Sequence, residues 1–182
     1  ATGRLLLITG GSQGAAPLNR WVEARLDDLA ARGIHALCLT GPGGRDERLE
    51  RAGSLVHFLP FCHQMAAAYS AADLAVTRAG AGTLAELATC RTPAILVPLP
   101  HAADDHQTAN ALQAAAGGAA ILLPERELGR LGEVAFGGIT DNAALAAMRD
   151  ALALADAANH WEELARETVA LAQAHGRRVA PA

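Results

Sequence analysis

The stretch RLLLITGGSQGAAPLN, Arg4 to Asn19, decides the fold. Its apolar run from Leu5 to Ile8 reads as a buried strand, Gly10-Gly11-Ser12-Gln13-Gly14 as a tight turn, and the pattern opening after Gly14 as a helix. Strand, glycine turn and helix in that order make the unit of an α/β sheet. The same geometry suits two chemistries. A G-x-S-x-G turn can expose Ser12 as a nucleophile, or small residues can let backbone N–H groups approach an anion at a helix N-terminus.

Working outward, further strand-like blocks fall at Ala36–Leu39, Leu55–Phe58, Leu74–Thr77, Ala94–Val97 and Ala120–Leu123. Helical patterns lie between several of them: Pro17–Arg32 ended by Gly33, Gln64–Ala71, Thr83–Cys90, and His106–Ala116 ended by Gly117. Strands alternating with helices predict a Rossmann-like α/β fold, an open parallel sheet with helices on both faces. Ligands of such sheets bind beyond the carboxyl ends of the strands. After Leu123 the pattern is helical, through Asn142–Ala155 and His160–Ala174, so C-terminal helices are expected from about residue 141. The 182 residues suit one domain.

Composition narrows the function classes. The net charge is −4 with acidic and basic residues interspersed, so no basic stripe offers itself to nucleic acid. Cys38, Cys62 and Cys90 are odd in number and form no CxxC pair, which argues for reduced thiols and a cytoplasmic setting. No apolar run approaches the roughly 20 residues of a membrane span. The chain opens at Ala1 directly before a strand with no initiator Met, which suggests a piece of something longer.

As a dinucleotide fingerprint the first turn is defective: its glycines read GGxxG, and the second strand ends in Leu39-Thr40-Gly41 with no carboxylate for a ribose. A Walker loop is excluded by the missing GK[ST]. A serine hydrolase would pair Ser12 with a downstream acid and histidine, for which Asp73 and His101 are candidates. The bland reading is a tight turn with no ligand. The balance shifts because DLAVTRAGAGTLAELA, Asp73 to Ala88, carries a second small-residue turn, Gly80-Ala81-Gly82, ahead of a helix. Two such turns can grip one diphosphate from two sides. Thr83 and Glu86 also have capping-box spacing, with Thr83 as N-cap.

VPLPHAADDHQTANA, Val97 to Ala111, is a Pro-framed loop leading into a helix. His101, Asp104, Asp105 and His106 offer metal-ligating chemistry, but Asp104 or Asp105 serves equally as an N-cap. Gln107 and Asn110, three apart, share a helix face and suit neutral hydroxyls.

The motifs GGSQGA, FCHQMAAAYSAADLAVTRAGAGTLAELA and PHAADDHQTANA, in that order over roughly Arg4 to Ala116, resemble the MurG family. The resemblance implies the C-terminal half of a GT-B glycosyltransferase. The full protein would transfer N-acetylglucosamine with inversion from UDP-GlcNAc to the lipid-linked muramyl-pentapeptide of peptidoglycan synthesis. It implies diphosphate contacts at Gly11, Ser12, Gln13, Gly14, Ala81, Gly82 and Thr83, and uracil contacts at Phe61, Cys62 and Met65. Glu86 would hold the ribose, and His106, Gln107 and Asn110 would read the sugar. Cys62 stands where an aliphatic residue is common, and Gln64 replaces a frequent acid. No catalytic residue is expected in this chain, because the acceptor site and proposed base belong to a missing N-terminal domain. No obligatory metal is expected, since there is no Asp-x-Asp pair. The full protein would sit peripherally at the cytoplasmic face of the inner membrane. Other readings are a separate donor subunit, a noncatalytic nucleotide-sugar sensor, and the Ser12 hydrolase.

Overall fold

The computed structural model describes residues 3–42, 55–100, 105–158 and 161–174. Its strands are β1 (Arg4–Thr9), β2 (Ile34–Leu39), β3 (Val56–Leu59), β4 (Leu74–Thr77), β5 (Ala94–Leu96) and β6 (Ala120–Leu122). They form one parallel sheet in the order β3-β2-β1-β4-β5-β6. All six strand blocks expected from the sequence are present. The central strands are buried on both faces, which is why they read as continuous apolar runs instead of alternating ones.

The helices are α1 (Ala16–Glu23), α2 (Leu26–Ala31), α3 (Met65–Ala71), α4 (Ala81–Cys90), α5 (His106–Ala116), α6 (Leu131–Thr140), α7 (Asn142–Ala157) and α8 (Trp161–Ala174), with a 3-10 segment at Glu125–Arg130. One core gathers Leu18, Trp21, Val22, Leu29, Leu131, Ala135 and Ile139 against the sheet; a second gathers Tyr69, Leu87, Ala88, Ala111 and Leu152 on strand residues of opposite facing. Each fully buried aliphatic side chain contributes roughly 1.5–3 kcal/mol, so these two layers fix the sheet between its helices. The expected helix Pro17–Arg32 is two helices, because Arg25 leaves helical geometry (φ −124°, ψ 14°); Asp27 and Asp28 then occupy the first turn of α2, where the helix dipole favours acids. Asp141 caps α7, its carboxylate accepting from the N–H groups of Ala143 (3.1 Å) and Ala144 (3.0 Å).

What positions the site is the reversal of strand order. From β1 the chain steps outward to β2 and β3, then returns to the other side of β1 and steps outward through β4, β5 and β6. A crevice opens at such a switch point, beyond the carboxyl ends of β1 and β4. Thr9 lies level with Leu39 on one side and Thr77 on the other, so the turns after β1 and β4 face the same opening. Both glycine turns noted in the sequence are these two turns.

Candidate functional site: a cavity at the switch point

A cavity of about 340 Å³ fills this crevice. Its lining includes Gly11 and Ser12 from the first turn, Gly82, Thr83 and Glu86 from the start of α4, and Phe61, Cys62 and Met65 from the segment entering α3. Residues from three separated motifs thus meet around one space. Thr9, Leu39, Pro60 and Tyr69 complete the lining and were not singled out from the sequence.

The first turn is tightly built. Gly14 N–H donates to Gly11 O at 3.0 Å, and Gly11 N–H donates to Thr9 Oγ1 at 3.2 Å. Those two N–H groups are therefore committed within the turn, leaving Ser12 and Gln13, both exposed, to supply N–H groups outward. Gly14 has φ +72°, and a Cβ there would stand 2.0 Å from Thr40 O. Asn19 locks the same corner, its Nδ2 donating to Thr40 O at 2.9 Å.

The second turn differs from its expected form. The helix begins at Ala81, with extended Gly80 at the N-cap and no side-chain cap. The capping box of Thr83 and Glu86 is thereby corrected: Thr83 lies inside the first turn, and it and Glu86 line the cavity together with Tyr69. Leu84 N–H, donating to Gly80 O at 3.0 Å, makes the first helical bond. The N–H groups of Ala81, Gly82 and Thr83 precede it and have no intrahelical acceptor. A helix beginning in bare N–H groups beside a cavity suits an anion.

Phe61 is exposed at the cavity and meets the His63 ring edge-on, with centroids 4.8 Å apart. Its open face can stack on a planar base. Cys62 and Met65, both half-buried, line the same cavity.

His106, Gln107 and Asn110 stand at the start of α5 and do not line this cavity. Gln107 Oε1 accepts from the N–H groups of Ala79 (3.3 Å) and Leu99 (3.0 Å), and Asn110 Nδ2 donates to Ala79 O (3.0 Å). This narrows what Gln107 can do toward a sugar hydroxyl: both lone pairs of its oxygen are in use, and only its N–H2 group is left to offer. Arg78, which sequence reading passed over, braces the same region. It is buried, donates to Val97 O and Pro98 O (3.1 Å each) and pairs with Glu125 at 2.5 Å.

Asp105 occupies the N-cap position of α5 with φ 50° and makes no side-chain cap bond, contrary to expectation. His101 and Asp104 lie outside the described residues. Among the described residues, no group of three or more His, Cys, Asp or Glu could hold a metal ion. The acid proposed for a Ser12 hydrolase is misplaced. Asp73 precedes β4, where it pairs with Arg4 (2.6 Å) and accepts from Leu5 N–H (2.9 Å), at the opposite end of the strands from Ser12. Among the described residues no helix is long and apolar enough to cross a membrane.

Residues 5–164 match the family described as glycosyltransferase family 28 C-terminal domain. The UDP-N-acetylglucosamine--N-acetylmuramyl-(pentapeptide) pyrophosphoryl-undecaprenol N-acetylglucosamine transferase of Opitutus terrae is 41% identical over 184 residues, covering 98% of this chain and 49% of that protein. The transferase of the same name from Synechococcus sp. (strain RCC307) is 50% identical over 127 residues, covering 68% and 34%. The chain therefore spans about half the length of the Opitutus relative. The crystal structure of Acinetobacter baumannii MurG superposes with a TM-score of 0.72 at 35% identity, over 82% of this chain and 45% of that one. CalG4, the calicheamicin glycosyltransferase, shares the fold with a TM-score of 0.70 at 20% identity, over 99% and 44%. The sheet is thus the Rossmann-like C-terminal half of a GT-B glycosyltransferase, and the chain belongs to glycosyltransferase family 28, whose C-terminal domain it carries.

Proposed function

We propose that this chain is the donor-binding half of an N-acetylglucosaminyltransferase that holds UDP-GlcNAc and, with an N-terminal acceptor half, glycosylates the lipid-linked muramyl-pentapeptide of peptidoglycan. The observation that carries the reading is the convergence of both glycine turns, Phe61 and Glu86 on one cavity at the sheet's switch point. The names of the relatives supply the sugar and the acceptor.

The chemistry follows from the parts. Uracil stacks at Phe61 beside Cys62 and Met65, the ribose hydroxyls donate to Glu86, and the diphosphate lies between the two turns. When the glycosidic bond breaks, negative charge builds on the departing UDP. N–H groups at Ser12, Gln13, Ala81, Gly82 and Thr83, fixed before the reaction, stabilise that charge without reorganising. They stand in for a cation, so the reading requires no metal. The base that activates the acceptor hydroxyl must act from the opposite face of the sugar, which assigns it to the N-terminal half. Full-length protein would then work at the cytoplasmic face of the membrane, where a lipid-linked acceptor and a soluble nucleotide sugar meet.

Calorimetric titration of the chain with UDP, UDP-GlcNAc and UDP-GalNAc, in excess chelator, tests this. Binding of UDP with a preference for UDP-GlcNAc is expected. Absence of UDP binding, or binding that appears only on adding magnesium, would sink the metal-free donor site.

A further inference from the structure

Arg78 stands between β4 and the second glycine turn, and at 7% exposure it carries a charge into the interior. A guanidinium does not shed its proton, so its burial requires both a counter-charge and hydrogen-bond acceptors. Arg78 has both. Its Nη1 donates to Val97 O and Pro98 O at 3.1 Å each, and its Nη2 meets Glu125 Oε2 at 2.5 Å, an oxygen shut off from solvent. The Glu125 end is itself tied down: Leu123 N–H donates to Leu96 O at 2.9 Å, and Pro124 follows with φ −58°. One side chain thus clamps together the segments leaving β4, β5 and β6.

This clamp lies to one side of the cavity. The strand order places β5 and β6 beyond β4, away from β3, after which Phe61 lies. A nucleotide with its base at Phe61 and its diphosphate between the turns therefore directs what its outer phosphate carries toward the end of β5 and the start of α5. The loop that Arg78 holds leads there, and its Leu99 N–H donates to Gln107 Oε1, whose N–H2 group is left for a ligand. The diphosphate turn has a brace of its own, since Asn110 holds Ala79 O at 3.0 Å. Loosening the clamp shifts the loop against which Gln107 is set and leaves the turn in place.

We propose that Arg78, fixed by Glu125, is a positioning residue for the sugar of the donor: it sets where the loop after β5 and the start of α5 stand relative to the diphosphate turn, and thereby how well two epimeric sugars are told apart. The proposal rests on the donor-site reading above. It gives a buried ion pair that lines no part of the cavity a role in selectivity.

Competition titrations of UDP, UDP-GlcNAc and UDP-GalNAc on wild type, Glu125→Gln, Arg78→Lys and the double variant test it. Glutamine keeps the shape of Glu125 without its charge, and lysine keeps the charge of Arg78 without the planar fork that spans two carbonyls and a carboxylate. Each single variant should narrow the affinity ratio of UDP-GlcNAc to UDP-GalNAc by about fivefold, the size of one misplaced hydrogen bond, while UDP binds within about twofold of wild type. The double variant should narrow the ratio no further than Arg78→Lys, because both changes act through one loop. A ratio unchanged or widened, even beside a fall in Tm, overturns the proposal and leaves the donor site standing; so does an equal loss for all three nucleotides, or additive narrowing in the double variant. Wild type that binds UDP without distinguishing the two sugars overturns the proposal alone, and wild type that binds no UDP overturns both. If neither single variant folds, Glu125→Asp keeps the charge pair and shortens its reach; it should narrow the ratio in the same sense, and a wild-type ratio there overturns the proposal.

Discussion

After β1 the chain turns through glycines that the fold itself demands; after β4 it turns through glycines that meet almost nothing. At Gly10 an added Cβ would lie 2.2 Å from Ala15 N, and at Gly14 it would lie 2.0 Å from Thr40 O, in a residue already at φ +72°. At Gly82 a Cβ would find no atom within 4 Å, and at Gly80 only Thr83 Oγ1 at 4.0 Å. The two turns flank one cavity, but they are held in different ways. The first is held by its own close packing against the end of β2. The second is held from outside, by Gln107 and Asn110 on the backbone of Ala79 and by Arg78 on the loop beyond β5. Glycine in the first turn is therefore a matter of folding, and in the second the N–H groups matter more than the missing side chains.

Gly14→Ala is the most severe way to test the first half of that contrast. The substitution combines a left-handed φ with a backbone clash, so a loss of about 3 kcal/mol or more is expected. That corresponds to a drop of roughly 6–12 °C in Tm for a chain of this size. Thermal denaturation measures it. A Tm within a degree or two of wild type would mean that the turn relaxes and that its glycines are not structurally required.

The second half predicts the reverse pattern. Gly82→Ala should keep or raise Tm, since alanine gains up to about 1 kcal/mol over glycine within a helix, and UDP affinity should change little. Gly82→Pro should fold, because proline is tolerated in a helix's first turn, but it deletes one N–H group. UDP binding should weaken by about 10-fold to 100-fold, as for a hydrogen bond to a charged acceptor. Full affinity in the proline variant would remove the α4 N-terminus from the diphosphate site.

Cys62 lies in the cavity between the turns and reports whether they close on one ligand. Cys38 is the internal control: it is fully buried on β2, and burial pushes its thiol up to about 12, with the Glu23 charge adding to the effect. Its thiolate is scarce at neutral pH, so alkylation should find Cys62 and spare Cys38 in the folded chain. Saturating UDP should slow labelling of Cys62 several-fold while Cys90 reacts as before, read by peptide mass spectrometry. Equal rates with and without UDP would separate Cys62 from the ligand. The same burial has a stability consequence. The folded Cys38 retains a proton that the unfolded chain loses from about pH 9, so stability is full below that pH. It falls by on the order of 1 kcal/mol per unit as pH rises toward 12.

The contrast between the turns also shows what the sequence could reveal. Strands β1, β4 and β5 are legible because burial on both faces makes them unbroken apolar runs, and each glycine turn is legible as punctuation after one. The steric requirement at Gly14 is not legible, because the atoms it avoids come from Thr40 and Gly41, far along the chain, whereas Gly10 avoids Gly14 and Ala15 of its own turn. The spacing of Thr83 and Glu86 is the same whether the helix starts at residue 81 or after residue 83, so a capping box and a pair of cavity-lining side chains look alike. Tyr69 itself sits in an alanine-rich helix and reads as core, which it is; only the fold shows that it also borders the cavity. Helix α6 carries Gly132, Gly137 and Gly138, which dilute its pattern; Gly138 lies where a Cβ would touch Leu74 at 3.6 Å.

The smallest expected effect belongs to Gln107, and it bears on how the second turn is braced. If Gln107 only read the sugar, Gln107→Ala would narrow the gap between UDP-GlcNAc and UDP-GalNAc and leave UDP itself untouched. Its oxygen, however, accepts from both Ala79 and Leu99 N–H groups, and Ala79 immediately precedes the turn whose N–H groups face the diphosphate. Removing the side chain leaves Ala79 N–H without that acceptor and frees the turn to shift, at a cost of about 1 kcal/mol. Asn110, still bonded to Ala79 O at 3.0 Å, limits the movement. The expected result is therefore a loss of about threefold to fivefold in UDP affinity, together with a narrower ratio between the two sugars from the lost N–H2 donor. Competition titrations with the three nucleotides on wild type and Gln107→Ala resolve the two contributions. Unchanged UDP affinity would show that the second turn, like the first, holds its own shape. An unchanged sugar ratio would leave Gln107 as a brace alone.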